Sequence, residues 1–184
     1  NRTYKWHPDE GITLFRDKVG YTGSAPFLGP EPGTNGLAIG PDRRVVACCH
    51  GDRCLKRFEP DGSVTTLVER YQGKRLNSPN DCAFHSSGAI YFTDPPYGLP
   101  QKEADPEREL NCNGVYRLAT DGQLTLLVDD MTRPNGLAFS PDEKFLYVSQ
   151  SDASAALWKE FPVREDGTLG PGKVIVDVTP WKKD

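Results

Sequence analysis

With 184 residues, a hydrophobic fraction of 36% and a charged fraction of 26%, the chain has room for one packed domain and lies outside the composition range of disordered proteins. A net charge of -4 argues against a phosphate-binding surface, and no apolar run nears the ~20 residues that span a bilayer, so neither nucleic acid nor membrane is an expected partner. Five cysteines, with Cys48 and Cys49 adjacent, make a poor disulfide framework and favour buried thiols in a reducing, cytoplasmic compartment; an exported, periplasmic protein whose signal peptide had been removed before residue 1 would carry the same sequence.

Glycine (18) and proline (16) are scattered singly, which punctuates the chain into many short elements. Residues 6–9 and 11–15 predict a hairpin. Asn35-Gly36-Leu37-Ala38-Ile39-Gly40-Pro41-Asp42 then opens a unit that continues with strands at 45–48 and 54–58, an Asp61-Gly62 turn and a strand at 64–68. A looser copy starts at Asn80-Asp81-Cys82-Ala83-Phe84 and runs through strands at 89–93 and 115–118, Asp121-Gly122 and a strand at 124–128. A third starts at Asn135-Gly136-Leu137-Ala138-Phe139-Ser140-Pro141-Asp142, passes a strand at 145–149 and carries Asp166-Gly167. Asp-Gly between apolar runs marks tight hairpins, because both residues tolerate positive φ. The repeat has a period of roughly 40 to 50 residues with one insertion. That insertion, residues 95–113, opens on Pro95-Pro96 and predicts a short helix over 105–110 with Pro106 in its first turn. A loop of this length is either a binding lid or a solvated excursion.

Runs such as 89–92 and 145–148 are apolar without alternation, so both faces of those strands must be covered. Sheets stacked around an axis do this. The expected fold is all-β, a β-propeller of four-stranded antiparallel blades, with a buried β-sandwich as the alternative. Blades at 35–71, 77–130 and 134–177 and a partial one at 1–17 make about three and a half, in a single partial-propeller domain over 1–184. Closed rings need at least about four, so the chain reads as part of a ring with open edges that predict self-association.

Each unit begins with Asn. If successive inner strands line one mouth, the amides of Asn80 and Asn135 converge there, and amide oxygens are hard ligands suited to Ca²⁺ or Mg²⁺. Asn35, before Gly36, reads as a turn residue closing an Asx-turn. His85 reads as an exposed turn histidine, and Asp94 as a strand-end cap before Pro95. Arg75, Arg133 and Tyr97 stand beside the motifs, within reach of a hydroxylated substrate or as surface and packing residues. Gly-x-Ser-x-Gly, His-Glu-x-x-His and phosphate-loop motifs are absent, and His7, His50 and His85 have no zinc-ligand spacing.

Three longer stretches carry a resemblance: Arg75-Leu76-Asn77-Ser78-Pro79-Asn80-Asp81, Ile90-Tyr91-Phe92-Thr93-Asp94-Pro95-Pro96-Tyr97-Gly98-Leu99, and Arg133-Pro134-Asn135-Gly136-Leu137-Ala138-Phe139. In sequence and order they resemble the gluconolactonase branch of the SMP-30/gluconolactonase/luciferin-regenerating family, over residues 33–178. The resemblance implies a six-bladed propeller that hydrolyses sugar lactones with a divalent metal, commonly Ca²⁺, in its channel. By the same resemblance Asn135 is a metal ligand, Asn80 faces metal and substrate, Asp81 braces the strand turn, and His50 in Cys49-His50-Gly51 is a substrate-site residue. Two family elements have no counterpart: Glu10-Gly11 is followed by Ile12 where the family's metal-ligand Glu would precede Gly-Pro, and the Asp assigned as general base is not present. The catalytic residue is therefore unknown from this sequence. Two neutral amides give a dication little charge compensation, so metal binding by the chain alone is expected to be weak. The resemblance thus implies a metal-dependent sugar-lactone hydrolase; the alternative is a catalytically incomplete propeller piece that binds a ligand or a protein.

Overall fold

The computed structural model describes residues 1–181, in which there are sixteen strands and no α-helix. A first hairpin pairs β1 (Arg2–His7) with β2 (Gly11–Asp17). It starts earlier than residues 6–9 suggest, and β1 stops at His7 because Pro8 has no N–H to extend the ladder. A four-stranded sheet follows: β3 (Thr34–Ile39), β4 (Val45–Cys49), β5 (Cys54–Phe58) and β6 (Val64–Val68). After a small hairpin of β7 (Arg70–Tyr71) and β8 (Lys74–Arg75) comes a second: β9 (Cys82–Phe84), β10 (Ile90–Asp94), β11 (Gly114–Leu118) and β12 (Leu124–Val128). The third holds β13 (Pro134–Phe139), β14 (Phe145–Gln150), β15 (Leu157–Pro162) and β16 (Lys173–Asp177).

Within each sheet the strands lie side by side in chain order and antiparallel, and the first strands β3, β9 and β13 are neighbours across sheets. The Asp-Gly turns adopt the predicted geometry: Gly62, Gly122 and Gly167 have φ of 90, 88 and 78°. Each preceding Asp closes its turn by accepting the N–H two residues on, at 2.9, 3.0 and 2.9 Å.

The apolar run of β10 is explained by burial on both faces, whereas in β14 burial alternates, with Leu146 and Val148 buried and Phe145 and Tyr147 only partly so, and the run 145–148 is not covered on both faces as expected. In β10, Ile90 and Phe92 pack toward the first four-stranded sheet with Leu55 and Tyr116, while Tyr91 packs toward the third with Leu146 and Phe161. β4 behaves alike: Val46 and Cys48 face the second sheet, Ala47 and Cys49 face Phe15 of the first hairpin. Each fully buried Leu, Phe or Val contributes roughly 1.5–3 kcal/mol, so the inter-sheet layers hold the stack together. Apolar side chains stay exposed at its ends: Tyr4, Trp6, Ile12 and Leu14 on the first hairpin, Leu37 and Ile39 on β3, and Trp158 and Val174 on the last sheet. The cysteines are free thiols, four of them buried.

The insertion differs from expectation. Its only helical turn is a 3-10 turn at Lys102–Ala104, and no helix forms over 105–110. The Asp105 carboxylate accepts the N–H groups of Gln101 and Glu107 instead, both at 2.9 Å, which folds the segment as side-chain-closed turns.

Candidate functional site

Asn35 and Asn135 occupy equivalent irregularities. The pairing register of β3 with β4 shifts between Thr34 and Leu37, and that of β13 with β14 between Pro134 and Leu137, so each Asn-Gly is a bulge in the first strand of its sheet. Bulges re-aim side chains. Asn35 is therefore a strand residue and not the turn residue its sequence suggests; Gly36 serves close approach, because a Cβ there would stand 2.5 Å from Asp81 Oδ1 and 2.8 Å from Asn80 O. Asn80 lies just ahead of β9.

Backbone and side-chain bonds tie the three strand starts together. Gly36 N–H donates to Asn80 O at 2.7 Å, Asn80 N–H to Thr93 O at 2.8 Å, and the Thr93 hydroxyl to Asn135 O at 2.7 Å. Asp81 accepts from Cys82 N–H at 2.9 Å and Leu137 N–H at 3.2 Å, bracing the start of β9 against β13. Asp94 braces from below: its two oxygens accept Asn77 N–H and Ser78 N–H, at 2.7 and 2.8 Å. It caps the loop that presents Asn80 and lies fully buried. Burial pushes its carboxyl up to about 7, against the opposing pull of those N–H groups and of Arg53 and Arg108.

His50 sits beneath the amides with its ring 1% exposed. Its Nε2 lies 3.3 Å from Asn35 Nδ2 and 3.4 Å from Asn80 Nδ2, and its Nδ1 lies 3.0 Å from Glu31 Oε2. Burial lowers its pKa, with the Glu31 charge opposing. On the other side, Asn135 Nδ2 donates to Ser151 Oγ at 3.3 Å, and Ser151 bonds the phenol of Tyr97 from the insertion. Each amide is thus held through its nitrogen, and no hydrogen bond from a described residue reaches the three amide oxygens.

His50 and Asn80 are brought together, with Asn135 stitched alongside through Thr93. Sequence reasoning missed Glu31 and Ser151 and misassigned Asn35, although the Asn-Gly repeat itself placed Asn35 in register with Asn135. Of the flanking residues, Tyr97 joins the cluster while Arg133 and Arg75 do not: Arg133 pairs with Glu103 at 2.9 Å, and Arg75 bonds Glu109 and Asp52 through its backbone and guanidinium. His85 is half-buried rather than exposed, since its ring packs against Phe139 and Tyr91 at 5.3 and 6.2 Å and pairs with Glu143.

Among the described residues no three His, Cys, Asp or Glu side chains cluster to hold a metal. The donor set nevertheless fits a hard divalent ion in kind, since unclaimed amide oxygens are neutral oxygen ligands of the type Ca²⁺ takes, while the neighbouring carboxylates Glu31 and Asp81 are engaged, the first with His50 and the second with the Cys82 and Leu137 N–H groups.

Residues 2–184 match the family described as the SMP-30/gluconolactonase/LRE-like region. The chain belongs to this family. A gluconolactonase of Zymomonas mobilis is 46% identical over 157 residues, covering 84% of this chain and 44% of that protein. The solved structure of a gluconolactonase from Xanthomonas campestris is similar with a TM-score of 0.79 and 39% identity, over 95% of this chain and 55% of that one. A calcium-binding regucalcin from Agrobacterium tumefaciens shares the fold at 22% identity, with a TM-score of 0.65 over 97% of this chain and 52% of its own. The chain spans about half the length of the relatives it matches.

Proposed function

We propose that the protein is a lactone hydrolase of the gluconolactonase type, acting on sugar lactones, and that its sheets are about three and a half blades of a six-bladed β-propeller. Blades at 1–17, 35–71, 77–130 and 134–177 make up one propeller domain over 1–184, with residues 95–113 as a loop over its mouth. The observation that carries this reading is the set of three amides at the starts of neighbouring inner strands, each bound through its nitrogen, in a chain of this family. Asn135 and Asn80 are the residues that would hold a divalent ion, Ca²⁺ being the best match to neutral oxygen donors. When bound, such an ion supplies Lewis acidity to a lactone carbonyl.

The chain's own residues do the positioning. Asn80 and His50 form the substrate side of the mouth, where the Asn80 oxygen accepts from a sugar hydroxyl and His50 supports it from below. The Thr93 and Asp81 bonds fix the spacing of Asn80 and Asn135, so the ligand meets a preformed site. The catalytic base is left unassigned.

A second reading is favoured by two observations: among the described residues no three His, Cys, Asp or Glu side chains gather to hold a metal, and apolar end faces are exposed around Trp6, Ile12, Leu37 and Trp158. In it the chain is a catalytically incomplete module that binds a ligand or associates with another chain through those faces. One experiment separates the two. Acid release from an aldonolactone is followed in a pH-stat with Ca²⁺, then with excess EDTA, beside an Asn135→Ala control. Calcium-dependent hydrolysis lost in Asn135→Ala supports the hydrolase; a rate equal to buffer under all conditions refutes hydrolysis by this chain and favours the module.

A further inference from the structure

The amides of Asn35 and Asn80 both turn their nitrogen to one atom, His50 Nε2, at 3.3 and 3.4 Å. An amide nitrogen only donates, so Nε2 has to keep its lone pair, and in a neutral imidazole the proton then sits on Nδ1. Glu31 Oε2, 3.0 Å from Nδ1, is the acceptor that this proton needs. The opposite tautomer fails at both ends: an Nε2–H would face two amide donors, and a bare Nδ1 would face a carboxylate. With the nitrogens anchored, the Oδ1 atoms, on the other branch of each amide, point away from the ring. Ser151 anchors Asn135 in the same sense, backed by Tyr97.

We propose that His50, fixed by Glu31 as the Nδ1–H tautomer, is a positioning residue that holds the amide oxygens of Asn35 and Asn80 toward the ligand. The proposal deepens the reading of this mouth as a ligand site and rests on it. A ring only 1% exposed acts through the two amides instead of by direct contact. Asn35 thereby joins Asn80 and Asn135 as a third oxygen donor. Glu31, whose side chain is 55% exposed, controls the orientation from the surface, so replacing it leaves the core filled.

The test is long-range ¹⁵N–¹H correlation of the His50 ring in the full chain near neutral pH, where coupling to Hδ2 and Hε1 identifies the protonated nitrogen. The expected result is Nδ1–H in the wild type and a shift toward Nε2–H in Glu31→Lys, whose ammonium only donates and so cannot accept the Nδ1 proton. Predominant Nε2–H or a doubly protonated ring in the wild type overturns the proposal, as does an unchanged tautomer in Glu31→Lys. A second measurement uses Tb³⁺ luminescence as the probe of the amide oxygens. His50→Ala is expected to weaken Tb³⁺ binding about tenfold, and His50→Gln, whose Oε1 still accepts both N–H groups, to stay within about threefold of wild type. Equal losses in both variants overturn the positioning role. A chain that binds no Tb³⁺ but shows the Nδ1–H tautomer refutes the ion-binding reading of the mouth while upholding the assignment of His50, so the two failures are distinguishable.

Discussion

Asp94 offers the sharpest test of how the loop carrying Asn80 is held. The folded carboxyl is raised from an ordinary 3.8 to about 7 because it is buried at 0% exposure. Between those two values the folded state binds a proton that the unfolded state has released, so stability falls as pH rises through this window and levels off above it. At about 1.4 kcal/mol per decade of proton affinity, the full decline is on the order of 4 kcal/mol. Asp94→Asn keeps the shape and one acceptor for the Asn77 and Ser78 N–H groups but cannot ionise. It should match the wild type within ~1 kcal/mol near pH 4.5, where the native carboxyl is protonated, and become the more stable protein near pH 8. Urea denaturation of both proteins from pH 4.5 to 8 measures the difference. Parallel pH curves, or a variant that is less stable near pH 8, would refute the reasoning and show that the two N–H donors with Arg53 and Arg108 compensate the buried charge fully.

Other perturbations follow from the same structure. Gly36→Ala should cost about 1–3 kcal/mol, because its Cβ meets Asp81 at 2.5 Å, whereas Gly136→Ala, nearest to Ser149 Oγ at 3.2 Å, should cost under about 1 kcal/mol; equal effects in thermal unfolding would contradict this asymmetry. Phe92→Ala empties a fully buried layer between two sheets and should cost about 3–5 kcal/mol in urea titrations. Ser151→Ala releases the Asn135 amide at the surface, so Tb³⁺ affinity should drop about three- to tenfold while the melting temperature stays within a few degrees; an unchanged affinity would detach Ser151 from the site. If the exposed end faces drive self-association, Trp6→Lys, at a position 71% exposed, should shift sedimentation toward monomer, and an identical profile would remove that face as the contact.

Local chemistry made much of the fold readable. The Asp-Gly pairs had to be tight turns because they tolerate positive φ, and the run through Tyr91 had to be covered on both faces because it does not alternate, whereas the equally apolar run through Leu146 is buried on one face only because its other face looks out from the last sheet. The repeated Asn placed Asn80 and Asn135 at corresponding positions for the same reason: each unit folds the same way. Where the sequence misled, a competing long-range contact was responsible. Asn35-Gly36 reads locally as a turn, but the approach of Asp81 from the next sheet turns it into a strand bulge. Residues 105–110 read as a helix, but the Asp105 carboxylate captures the N–H groups in closed turns. Glu31 had no periodic signal, since it lies in an irregular Gly- and Pro-rich loop whose path depends on what it packs against. Spacing and side-chain type therefore determined the repeat, the turns and two of the amides, while only the tertiary structure decided which side chain orients them, because the bonds from Glu31 through His50 to Asn35 and Asn80 join segments that meet only once the sheets have stacked.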